Sequence, residues 1–115
     1  MNIRFERESV EGYPLIRVFG ALDFDTSGKL LMETDAGWNP SRPLLILDLH
    51  GVEHIDSAGV TELVLIKKRL RRRGGNAVLT RVSDVTRYVL DIMGLQEPLE
   101  VFESPEAALA SLQSE

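Results

Sequence analysis

Cysteine is absent from the 115-residue chain. That excludes a disulfide framework, a thiolate metal site and a cysteine nucleophile. No apolar run approaches the roughly 18 residues that a membrane span needs, so membrane insertion is not expected. The opening MNIRFERESV carries several charges and lacks the apolar core of a signal peptide. A soluble cytoplasmic protein is the default expectation. Aromatics are scarce, with one Trp, two Tyr and four Phe, and the formal net charge is −5. A general nucleic-acid binder, usually basic with aromatics among its cations, is therefore not expected. The chain also has no glycine loop of Walker type and no convincing Ser/His/Asp constellation. Neither an intrinsic enzymatic activity nor a bound cofactor or metal is expected.

What remains is ordinary globular material: 43% hydrophobic and 27% charged residues, without repeats or low-complexity stretches. The length suits a single domain spanning residues 1–115, able to bury roughly 65% of its unfolded surface. Ile3-Arg4-Phe5-Glu6 alternates as a half-buried strand does. Glu11-Gly12 reads as a turn into a second strand, Tyr13 to Phe19, so the two should form an antiparallel hairpin. Thr26 to about Asp35 reads as a helix, and residues 37–43 as a loop. Leu44-Leu45-Ile46-Leu47-Asp48-Leu49 suits a central strand buried on both faces. A short loop should then lead to a helix from Ser57 to Arg73, closed by Gly74-Gly75. Ala77 to Thr80 reads as a strand, and Ser83 as the cap of a helix ending at Met93-Gly94. Leu99 to Phe102 reads as a last strand, and Ser104-Pro105-Glu106 as the start of a final helix. The order predicts an α/β fold: a mixed sheet opened by a hairpin, with four helices packed mainly on one face.

The most informative stretch is LLILDLHGVEHIDSAG, residues 44–59, which runs from a buried strand into a helix start. Asp56 and Ser57 can act there as ordinary caps. The same position, near unpaired backbone N–H groups and the positive end of the helix dipole, also favours a phosphate. Phosphorylation of Ser57 would add about 1.5 to 2 negative charges beside Asp56. Plotted as a helix, Val60, Leu63, Val64, Ile66 and Leu70 form a core-facing stripe, with Lys67 and Arg71 at its edge. Leu65 projects instead among Thr61, Glu62, Lys68, Arg69 and Arg72. Leu65, Glu62 and Arg69 are therefore candidates for a partner-binding surface beside Ser57. The basic run from Lys67 to Arg73 reads as a solvated helix end, or else as a docking patch for an acidic partner.

Three segments together resemble the STAS domain, in particular the bacterial anti-sigma factor antagonists. These are Gly20-Ala21-Leu22-Asp23, the apolar strand before Asp56-Ser57-Ala58-Gly59, and Met93-Gly94-Leu95 with Val101-Phe102. The resemblance implies that Ser57 is a phosphoacceptor and that the partner is an anti-sigma factor serine kinase supplying ATP and Mg²⁺. The unphosphorylated antagonist would bind that kinase and free a sigma factor, phosphorylation would end the binding, and a cognate phosphatase could reset the switch. It further implies that Asp56 shapes the helix start, that Gly59 permits close backbone approach, and that Asp23, Thr26 and Ala58 contribute to the docking surface. Ala58 stands where the family often carries a second hydroxyl. Two other functions compete. One is a STAS interaction subunit of another assembly, such as a phospholipid-transport complex. The other is a receiver-like domain with Asp48, placed at a strand end, as the phosphoacceptor; it lacks an acidic pair after the first strand to bind Mg²⁺. His50 and His54 read as loop residues between strand and helix.

Overall fold

The central strand organises the molecule. In a computed structural model that describes residues 2–113, Leu44–Ile55 forms β3 in the middle of a five-stranded sheet. Its first six residues are buried, as their continuous apolar run requires. The strand order is β1 (Ile3–Val10), β2 (Tyr13–Leu22), β3, β4 (Asn76–Thr80) and β5 (Val101–Phe102). β1 and β2 are antiparallel, and β2 to β5 are mutually parallel. Glu11 and Gly12 both adopt positive φ, +50° and +83°. Such a two-residue turn matches the twist of the strands it joins.

Each parallel step requires a crossover, supplied by α1 (Lys29–Gly37), α2 (Ser57–Arg72), and α3 (Asp84–Met93) with the short α4 (Gln96–Leu99). These helices cover one face. Leu30, the α2 stripe Val60, Leu63, Ile66 and Leu70, and Leu90 and Leu99 meet alternate residues of the sheet such as Leu45, Leu47 and Leu49. Each fully buried aliphatic side chain contributes roughly 1.5–3 kcal/mol, so this stripe rather than helix propensity holds α2 in place. On the opposite face, α5 (Pro105–Gln113) packs Ala108 and Leu109 over Leu15, Leu44, Ile46 and Val78. The mixed α/β fold with its hairpin and helices mainly on one face is as the sequence indicates.

Three elements differ from expectation. The described residues form five α-helices rather than four, because Gln96–Leu99 forms α4 where a strand beginning at Leu99 was expected. Leu99 N–H bonds back to the Leu95 carbonyl, leaving only Val101–Phe102 extended. The first helix begins at Lys29 rather than Thr26. Residues Phe24–Thr26 instead form a 3₁₀ turn, followed by Gly28 at φ +87°. Third, β3 runs on to Ile55 and replaces the expected loop, so His50 and His54 are strand residues. This second half pairs with β2 alone, Phe19 opposite Gly51 and Leu22 opposite Ile55, whereas pairing with β4 ends at Asp48. A half-paired strand can expose polar residues, and His50, Glu53 and His54 are all exposed. Their polarity hides the strand from the sequence pattern.

Candidate functional site

Asp56 builds the site. It caps α2 with extended backbone, its Oδ1 accepting from the amides of Ala58 at 2.9 Å and Gly59 at 3.1 Å. Its Oδ2 accepts from the amide of Phe24 at 3.2 Å. One carboxylate thus ties the start of α2 to the segment that leaves β2. Partial burial pushes this carboxyl upward, but the amides of Gly59, Phe24 and Ala58 and the nearby His54 outweigh that and hold it below the usual carboxylate value. Gly59 brings the two segments together. A Cβ at this position would lie 2.0 Å from the Leu22 carbonyl oxygen, so the expected close backbone approach is made to β2.

Ser57 follows as the first residue of α2 and is exposed. Its carbonyl accepts from the Thr61 hydroxyl at 2.8 Å, while its own hydroxyl engages no other described residue. Beside it lies a groove of about 390 Å³ bounded by Phe24, Leu31, Ala58, Thr61 and Leu65. Phe24 is 77% exposed and Leu65 51% exposed. Large apolar side chains left in water around a depression are characteristic of an interaction surface.

Asp23 and Thr26 stand beneath this surface. The Asp23 carboxylate accepts from the Thr26 amide, the Thr26 hydroxyl accepts from the Asp23 amide, and that hydroxyl donates to the Ala21 carbonyl at 2.9 Å. Both residues are buried. The expectation that they form docking surface is corrected in this respect: their side chains hold the turn that displays Phe24. His54 Nε2 lies 3.9 Å from Asp23 Oδ2 on the same side.

Glu62 is also corrected. It lines the same groove as Ser57 and Leu65 but is only 5% exposed. Its two carboxylate oxygens accept from the amides of Gly28 and Leu31, at 3.1 and 2.9 Å. Gly28 has no side chain with which to cap α1, so Glu62 performs that task from α2. Arg69 remains at the surface but is bidentate to Asp35, at 3.0 and 2.9 Å, with Arg73 on the same carboxylate. Of the remaining basic residues, Lys67 is buried and donates to Glu100, Asn76 and the Ala77 carbonyl, and Arg71 also reaches Glu100. The basic helix end is in good part internally neutralised.

Asp48 does not lie at a strand end, since β3 continues for seven residues beyond it. It is 2% exposed, held by Arg17 at 2.7 Å and Arg81 at 3.4 Å, and accepts from the His50 amide. A carboxylate engaged in this way is a structural anchor, which overturns the receiver-like geometry. Phe24 is the surface residue that sequence reasoning missed. Its signal was available: one of few aromatics, placed between Asp23 and Asp25 in a polar turn.

The site therefore consists of an exposed serine on a capped helix start, an apolar groove beside it, and a buried polar frame beneath. The chain is similar along its length to known proteins. An anti-sigma F factor antagonist of Paenibacillus polymyxa is 25% identical over 114 residues, covering 98% of this chain and 97% of that protein. The solved structure of an anti-sigma factor antagonist from Mycobacterium paratuberculosis superposes with a TM-score of 0.82 at 24% identity, covering 97% of this chain and 95% of that one. The Bacillus cell fate determinant SpoIIAA in its phosphorylated form gives a TM-score of 0.66 at 21% identity, over 95% and 99% of the two chains. The STAS domain family model matches residues 4–108, from β1 through the hairpin, the Ser57 helix start and into α5, and the chain belongs to that family.

Proposed function

We propose that the chain is an anti-sigma factor antagonist whose binding is switched by phosphorylation at Ser57. The observation that carries this reading is the exposed Ser57 hydroxyl, bonded to no other described residue, at a capped helix start beside the groove of Phe24 and Leu65. Unphosphorylated, this face binds an anti-sigma factor serine kinase, and that binding frees the sigma factor. In the transfer step the Ser57 oxygen bonds to the γ-phosphorus of ATP as the bond to ADP breaks, and the hydroxyl gives up its proton. Nucleotide and Mg²⁺ belong to the kinase; this chain supplies the acceptor and its placement.

Phosphorylation would place about 1.5 to 2 negative charges at the edge of the apolar groove, on the residue next to Asp56. A partner surface that packs there loses affinity through added bulk and desolvation of the new charge. The fold need not change, because Asp56 and not Ser57 holds the helix start. Ala58 leaves Ser57 without a neighbouring hydroxyl at the next position and does not alter the acceptor itself.

The test is capture of partners from extract of the source cell, using wild type, Ser57→Ala and Ser57→Asp. The expected result is a histidine-kinase-like ATPase retained by Ser57→Ala and weakened by Ser57→Asp. A transporter ATPase bound equally by all three would contradict the reading and favour a subunit of a transport assembly.

A further inference from the structure

The edge of the sheet at β1 carries a pattern unrelated to the Ser57 face. β1 is eight residues long, pairs with β2 in unbroken register from Ile3 opposite Gly20 to Val10 opposite Tyr13, and contains no proline. The other edge, β5, has only two residues. In a hairpin closed by a two-residue turn, the flanking pair Val10 and Tyr13 exchanges hydrogen bonds, and alternate pairs follow. Pro14, which has no N–H, accordingly sits opposite Ser9 at a non-bonded position. The backbone groups of Val10, Glu8, Glu6 and Arg4 therefore face β2. Those of Ser9, Arg7, Phe5 and Ile3 face outward; the Ile3 amide donates to Asn2 Oδ1 at 3.0 Å, and the groups of Phe5 to Ser9 form an open template for another strand.

We propose that this edge pairs antiparallel with β1 of a second copy of the chain, with Phe5 opposite the second copy's Phe5. The occupant follows from charge complementarity. In this register Arg4 lies opposite the second copy's Glu6, and Glu6 opposite its Arg4. Ile3 lies opposite Arg7, and the outward-facing backbone groups of Phe5 meet their own symmetry mates. Sliding the pairing by one step sets Glu6 against Glu6 and offers Arg4 only Glu8, whose carboxylate is already bonded by Arg17; sliding by two sets Arg7 against Arg7 and Glu6 against Glu8, so both registers carry unfavourable like-charge pairs. The two-fold symmetry makes each favourable contact occur twice. The side chains are available for it: Arg4 and Glu6 are 63% and 52% exposed and pair with each other within the strand at 2.8 Å. Arg4 also lies over the Phe19 ring at 4.2 Å, which fixes its stem on the open face of the sheet. Ile3 and Phe5 pack against the main core on the other face and keep the edge rigid.

Sedimentation equilibrium of the full chain over a wide concentration series tests the pairing. Wild type is expected to dimerise. Arg4→Glu or Glu6→Arg alone reverses two facing pairs and should raise the dimer dissociation constant by about tenfold or more. The double variant Arg4→Glu/Glu6→Arg restores complementarity and should return the constant close to wild type. Arg7→Pro removes an outward N–H that β2 does not use, and should abolish the dimer while the circular dichroism stays that of a folded chain. A wild-type monomer at every concentration would overturn the proposal. So would a dimer indifferent to single charge reversal, or one that the double variant fails to restore; these charge variants decide the matter even if Arg7→Pro does not fold.

Discussion

The two ends of α2 invite opposite readings in the sequence and meet opposite fates in the structure. The C-terminal end holds the densest charge in the chain, yet Lys67 and Arg71 are spent on Glu100, and Arg69 and Arg73 on Asp35. The N-terminal end carries an ordinary-looking Asp-Ser-Ala-Gly, yet it leaves a hydroxyl bonded to no other described residue and two exposed apolar side chains nearby. An interaction surface is marked by what the fold leaves unsatisfied, not by how much charge a segment contains. At one end the polar groups serve each other. At the other, Asp56 holds the helix-start amides and leaves its neighbour exposed.

The largest expected effect breaks the frame beneath the N-terminal end. Gly59→Ala drives a Cβ to within 2.0 Å of backbone at Leu22, so α2 and β2 must separate. A loss of about 3 kcal/mol is expected, measured by denaturant unfolding. Next come the apolar rims. Phe24→Ala should weaken partner binding by about 2 kcal/mol, roughly thirtyfold, with unfolding unchanged. Leu65→Glu should weaken it in the same sense, since it buries a charge in the groove. Unchanged affinity in either variant would remove that residue from the interface.

The smallest effect compares both ends under acid. The carboxyls of Asp56, Asp35 and Glu100 are all held below their ordinary values. For Asp35 the bond to Arg69 is the main cause. For Glu100, burial pushes upward but Asn76, Lys67 and Arg71 prevail. For Asp56 the helix-start amides prevail over burial. A depressed folded pKa means stability that is present above the unfolded value, near about 4, and is lost as pH falls through the folded value. The thermal midpoint should hold at neutral pH and fall below about pH 4. Asp56→Asn should make part of that fall disappear; an unchanged acid profile would show that the cap carries no such linkage.

Much of the fold is legible because burial writes itself into residue type. The run from Leu44 to Leu49, the α2 stripe and the Gly94 stop each correspond to an observed element. The failures occur where polar partners decide. Thr26 has a helical neighbourhood, but its hydroxyl and the Asp23 carboxylate close a separate turn. His50 to His54 look like loop because only β2 pairs with them. At the site, Ser57, Asp56 and Leu65 could be read locally. Glu62 could not, because its role is to cap a helix that precedes it by some thirty residues. Phe24 carried a signal in its polar flanks, but the bond that fixes its turn comes from a carboxylate far along the chain.

The most direct measurement is phosphosite mapping followed by rebinding. The captured kinase partner is incubated with this chain and ATP, the phosphate is located by tandem mass spectrometry, and the modified chain is returned to the partner. The account expects a single phosphate on Ser57, none on the Ser57→Ala variant, and loss of binding by the phosphorylated form. A phosphate on another residue, or a Ser57-phosphorylated chain bound as tightly as the unmodified one, would contradict it.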